Sequence, residues 1–121
     1  MKKFKIDVSL FKTTVFVWYC SATQATKLYS KTTYFKDDPD IKFEGHGKTL
    51  YIPLVAPIVW VNDSIGFVEE IATLTHEFTH VVNGILLHKG IPLNEDTDEV
   101  YAYFLEYLIR ESLKKIVKET K

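Results

Sequence analysis

The chain opens on an alternation. Phe4, Ile6, Val8 and Leu10 take every second position with polar residues between them, the period of a strand that buries one face. Thr14 to Tyr19 follows as a β-branched and aromatic run, suited to pair with the first segment as a hairpin. Ser21 can cap a short helix to about Ser30, because Ala22, Ala25 and Leu28 have helical spacing, whereas Lys31 to Lys36 reads as more extended. Asp37-Asp38-Pro39-Asp40 is a turn signal and Glu44 to Lys48 a flexible stretch. Two apolar β-type segments come next, Leu50 to Val55 and Ile58 to Val61, punctuated by Pro53 and Pro57. Proline withholds a ladder donor, so this region is expected at a sheet edge, or as strand, bend and strand.

From there the period changes to that of a helix. Asn62-Asp63-Ser64 offers N-caps, and Glu69 and Glu70 suit the first turn of a helix running to about His88. Ile71, Thr75, Phe78, Val82 and Ile85 fall on one mostly apolar face, with Glu69, Thr73, His76, His80 and Asn83 as a polar stripe beside it. Lys89-Gly90 and then Pro92 supply a stop. Asn94 to Thr97 can cap a second helix that reaches about Lys118 and is apolar around much of its circumference from Val100 to Ile109, which predicts a largely buried element. The order of elements predicts an α+β fold over residues 1–121 as a single domain, a small mixed sheet packed on two long helices.

Composition narrows the function classes. A chain of 121 residues with 46% apolar and 26% charged residues can bury a core without staples. A formal net charge of −1 and a pI near 6.4 argue against nucleic acid or an anionic membrane as partner. Lys114, Lys115, Lys118 and Lys121 cluster at a helix end, which they suit. Cys20 is alone, so no internal disulfide forms, and it reads as a buried thiol in a reducing compartment. Asp7 and Lys12 interrupt any signal-peptide core, no run reaches transmembrane length, and a cytoplasmic location is expected.

The candidate chemistry lies in His76-Glu77-Phe78-Thr79-His80, a match to HExxH. Residues four apart share a helix face, so both imidazoles can address one ion while Glu77, about 100° round the helix, reaches a water on it. The motif alone arises by chance on the order of once in a few hundred chains of this length, and its context, a helix with a downstream acid, is what raises it. A catalytic zinc takes a third protein ligand. Eighteen residues separate His80 from Glu99, enough for one helix to end, turn and return antiparallel, so Glu99 is the favoured third ligand, with Glu95 and Asp98 as competitors. Tyr103, four residues on from Glu99, can donate to a developing oxyanion, and Glu106 lies on the same face. Thr73 and Asn83 are candidates to support the ligands, while His46 reads as a loop residue and His88 as a partner of helix-terminal carbonyls.

These residues resemble the gluzincin branch of the zincin metallopeptidases, in which HExxH is followed on a later helix by a glutamate ligand. Leu74 to Val82, Gly90-Ile91-Pro92-Leu93 and Glu99-Val100-Tyr101-Ala102-Tyr103 look like a family of small phage-encoded proteins. The resemblance covers about Ile58 to Lys115. It implies a minimal zincin-like fold, Zn2+ on His76, His80 and Glu99, Glu77 as general base, and an edge strand from Leu50 to Val61 that holds an extended peptide or protein substrate. Tyr103 stands where larger gluzincins carry an acidic residue, and no separate substrate subdomain is visible. The implied activity is zinc-dependent peptide-bond hydrolysis. The alternative is a non-catalytic zinc-binding accessory protein that engages a host protein. The sequence sets neither the substrate nor the oligomeric state.

Overall fold

The computed structural model describes residues 1–51 and 56–117. Strand β1 (Lys2–Val8) and strand β2 (Thr13–Cys20) form the expected antiparallel hairpin, with Ile6 opposite Val15 and Phe4 opposite Val17. Helix α1 (Ala22–Ser30) begins on a reciprocal cap: the Gln24 amide N–H bonds Ser21 Oγ while the Gln24 side chain accepts from the Ser21 N–H. Strand β3 (Gly47–Leu50) and strand β4 (Ile58–Asn62) complete a sheet of order β1-β2-β4-β3. β4 runs parallel to β2, and β3 runs antiparallel to β4 at the sheet edge. The fold is therefore mixed α and β: a four-stranded mixed sheet with three helices.

Several expectations change. Thr33–Lys36 is a short 3-10 turn rather than extended chain. The first apolar β segment begins earlier than its apolar residues suggest, as Gly47–Leu50; the rest of it, 52–55, lies outside the described residues. The second is not an edge: β4 lies between β2 and β3, which Pro57 permits because it precedes the strand and contributes its carbonyl to Phe16 N–H at 2.9 Å. Finally, helix α2 (Phe67–His88) is not capped by Asn62, Asp63 or Ser64. Asn62 Oδ1 instead closes a local turn by accepting from the Ser64 N–H and hydroxyl, and Glu70 reaches back from the first turns of α2 to accept the Gly66 N–H at 3.0 Å. Tyr19 donates to the other Glu70 oxygen, tying β2 to the first turn of α2.

Alternation sorts the sheet residues to two faces. Val15, Val17, Val59 and Val61 meet Leu74, Phe78 and Val81 of α2 and Phe104 and Leu108 of helix α3 (Asp98–Ile116). Trp18, Cys20, Ile58 and Trp60 meet Ala25, Tyr29 and Phe43 on the α1 side, where Trp60 Nε1 donates to Cys20 O at 3.0 Å. At the end of α2 the Ile91 N–H bonds Leu86 O and the Gly90 N–H bonds Leu87 O, the double closure that turns the chain back. Tyr101 then fixes the return by donating to Ile91 O at 2.7 Å. Lys2 reaches Ile116 O and Tyr107 reaches Asp7 O, so α3 is bonded to β1 from across the chain.

α3 is less buried than its apolar circumference predicts. Tyr101, Phe104, Leu108 and Ile116 face the core, but Val100, Ala102 and Tyr103 are exposed and Leu105 and Ile109 only half-buried. Among the described residues no helix is long and apolar enough to cross a membrane.

Candidate metal centre

The HExxH string sits mid-helix in α2, which presents its residues by angle. Leu74, Phe78, Val81 and Val82 face the sheet, and His76 and His80 point away from it. Their rings are neighbours: the centroids lie 5.0 Å apart and the planes cross at 79°. Both residues are exposed, and neither imidazole has a hydrogen-bond partner among the described residues. Glu77 lies between them in sequence and turns toward β3, where it is buried to 8% exposure.

Its carboxylate is held in place. Thr49 of β3 donates its hydroxyl hydrogen to Glu77 Oε1 at 2.7 Å, and Oε2 lies 3.9 Å from His76 Nε2. β3 can approach α2 this closely because of Gly47. A Cβ there would sit 2.6 Å from Thr73 Cγ2, 2.8 Å from Trp60 O and 3.4 Å from Glu77 Cγ. A second close approach lies one turn beyond His80: a Cβ on Gly84 would come within 2.5 Å of the Tyr51 ring and 2.8 Å of its hydroxyl oxygen. Tyr51 thus lies across the same side of α2 as Glu77. Burial and the Glu77 charge push its phenol up to about 12, so it stays a neutral donor at ordinary pH.

The sequence-based candidates divide. His76, Glu77 and His80 are brought together. Glu99 projects exposed from the first turn of α3, where a carboxylate suits the helix N-terminus, and Glu95 is exposed in the preceding loop. Among the described residues no group of three His, Cys, Asp or Glu side chains is placed to hold an ion, so neither acid completes a set with the histidine pair. Tyr103 lines a different cleft, about 370 Å³, with Leu10, Phe11 and Tyr107. Glu106 pairs with Arg110 at 3.0 Å, His46 is exposed ahead of β3, and His88 is the last residue of α2. Thr73 packs on the backbone of Gly47, and Asn83 is half-buried.

Two residues were not singled out by the sequence. Thr49 carried no signal beyond its place near an apolar segment. Tyr51 had an indirect one, since a glycine inside a long helix, Gly84, is unfavourable there and marks close packing. The donor chemistry, two imidazoles four residues apart with a carboxylate between, suits a divalent ion such as zinc, and it supplies two of the three protein ligands of a catalytic zinc. No family model, curated protein or solved structure matches the chain.

Proposed function

We propose that the chain is a zinc-dependent peptide hydrolase of minimal zincin-like type. The observation that carries this reading is Glu77, a buried carboxylate set between an exposed histidine pair and an edge strand and aimed by Thr49. In this reading His76 and His80 would hold the ion, and Glu99, which stands apart from the pair at the start of α3, would have to approach them to serve as third donor. The ion supplies Lewis acidity and makes water a better acid.

The chain's own residues supply the rest. Glu77 takes the proton of the attacking water and returns it to the leaving nitrogen. Thr49 keeps one carboxylate oxygen occupied, so the other faces the reaction. Among the described residues β3 is an edge strand of the sheet, beside which an extended peptide can add as a further strand. Tyr51 replaces Tyr103 as the phenol nearest this chemistry and is assigned to donate to the developing oxyanion.

The exposed pair without a placed third donor favours one other reading, a zinc-binding accessory protein that engages a host protein. Metal analysis and peptide cleavage separate the two. The hydrolase reading expects about one zinc per chain, its loss in His76→Ala, and cleavage of a peptide mixture that Glu77→Gln abolishes while zinc stays bound. Zinc retention without any cleavage in the wild-type chain selects the binding reading, and full zinc binding by His76→Ala overturns both.

A further inference from the structure

α3 leaves an apolar stripe uncovered. Ala102, Leu105, Ile109 and Leu113 line a groove of about 880 Å³ with Thr75 of α2, on the opposite flank of α2 from β3. Charges border it in an ordered way. Of the charged residues that line it, Glu106 lies toward the α3 N-terminus and Arg110 and Lys114 toward its C-terminus.

This pattern is complementary to its own reverse. Take a two-fold axis through Ile109 and lay a second α3 antiparallel on the first. Leu105 then meets Leu113 of the other copy, Ile109 meets Ile109, and Glu106 falls between Arg110 and Lys114 of the other copy. Rows spaced by four residues interdigitate with their like, which is the commonest mode of helix packing. Glu106 of each copy then faces basic residues of the other, and the two helix dipoles oppose. The present partners of these charges are exposed pairs within the helix, Glu106 with Arg110 at 3.0 Å and Lys114 with Glu111 at 2.9 Å. Such pairs contribute little and exchange partners readily. We propose that this face of α3 is a homodimer interface, with a second copy of the chain packed antiparallel across the groove.

Charge reversal tests this without any activity assay. Glu106 and Arg110 are exposed, so their substitutions leave the core intact, which circular dichroism verifies. The wild-type chain is expected to sediment as a dimer at tens of micromolar concentration. Glu106→Arg sets Arg against Arg across the two-fold, and Arg110→Glu sets Glu against Glu, so each variant alone should dissociate at least ten-fold more readily. An equimolar mixture of the two variants restores both opposite-charge contacts and should dimerise again. A monomeric wild-type chain, singles that dimerise as well as wild type, or a mixture no tighter than its components overturns the proposal.

Discussion

Thr49 donates its hydroxyl hydrogen to Glu77 Oε1 at 2.7 Å, joining the edge strand of the sheet to the middle of the HExxH helix. The bond sets the orientation of a buried carboxylate whose position along α2 is already fixed. Thr49→Ala leaves Glu77 free to rotate, and under the hydrolase reading the rate should fall about ten-fold, with zinc affinity unchanged. Thr49→Ser keeps the hydroxyl and should recover most of the rate. Peptide cleavage measured beside zinc titration checks the split.

Two glycines on the flanks of α2 respond differently to alanine. At Gly47 the added methyl meets Trp60 O, a backbone atom that cannot swing aside, besides Thr73 Cγ2. Gly47→Ala should therefore cost about 1–3 kcal/mol in urea unfolding. At Gly84 the obstacle is the half-exposed Tyr51 ring, which can leave, and alanine adds roughly 1 kcal/mol of helix propensity. Gly84→Ala should stay within about 1 kcal/mol of wild type. It should also release Tyr51, whose ionisation in an alkaline absorbance titration falls from about 12 toward 10.

Much of this arrangement was legible in the residues. The alternation of Phe4, Ile6 and Val8 gave the first strand, Ser21 gave the cap of α1, and His76 with His80 fell on one helix face as the period requires. These signals are local, carried by neighbours within a turn or a strand. Gly47 resisted because a glycine near His46 and Gly45 looks like a loop residue, whereas its role is close passage of β3 over α2. Where Glu99 and Tyr103 lie relative to the histidine pair was not legible, because spacing says how far a chain can reach and not how a helix is rotated. Packing of Tyr101, Phe104 and Leu108 against the sheet sets that rotation. Glu70 suits the helix dipole by sequence, while its burial and its two hydrogen bonds show that it also ties the start of α2 to Gly66 and to Tyr19 of β2.

Alkaline conditions should loosen the fold in a defined window. Burial, and then the Asp63 charge, push the Cys20 thiol up from 9.0 to about 11, and burial with the Glu70 hydrogen bond raises the Tyr19 phenol above its usual 10. Both groups hold their protons more tightly when folded than unfolded. Their contribution is whole below about pH 9 and is lost as pH rises through the folded values. Urea midpoints should fall steadily between about pH 9 and pH 11, and Cys20→Ala should flatten the decline. A midpoint constant across that range contradicts the assignment.

Ser112 offers a gain. Its side chain is fully buried in α3 and its hydroxyl has no hydrogen-bond partner among the described residues. An unmet buried hydroxyl costs about 1–3 kcal/mol, and alanine also suits a helix interior better. Ser112→Ala should raise stability by about 1 kcal/mol in urea unfolding, with no effect on zinc binding.

The bonds from Tyr107 to Asp7 and from Lys2 to Ile116 span nearly the whole sequence. β1 is made about a hundred residues before α3 and shares its core face with that helix. Until α3 is synthesised, Ile6 and Val8 keep an apolar flank open to water, and the hairpin they belong to is poorly stable alone. Assembly should thus be governed by late, long-range closure rather than by stepwise growth from the first strand. A nascent chain stalled before α3 is the state most prone to aggregate.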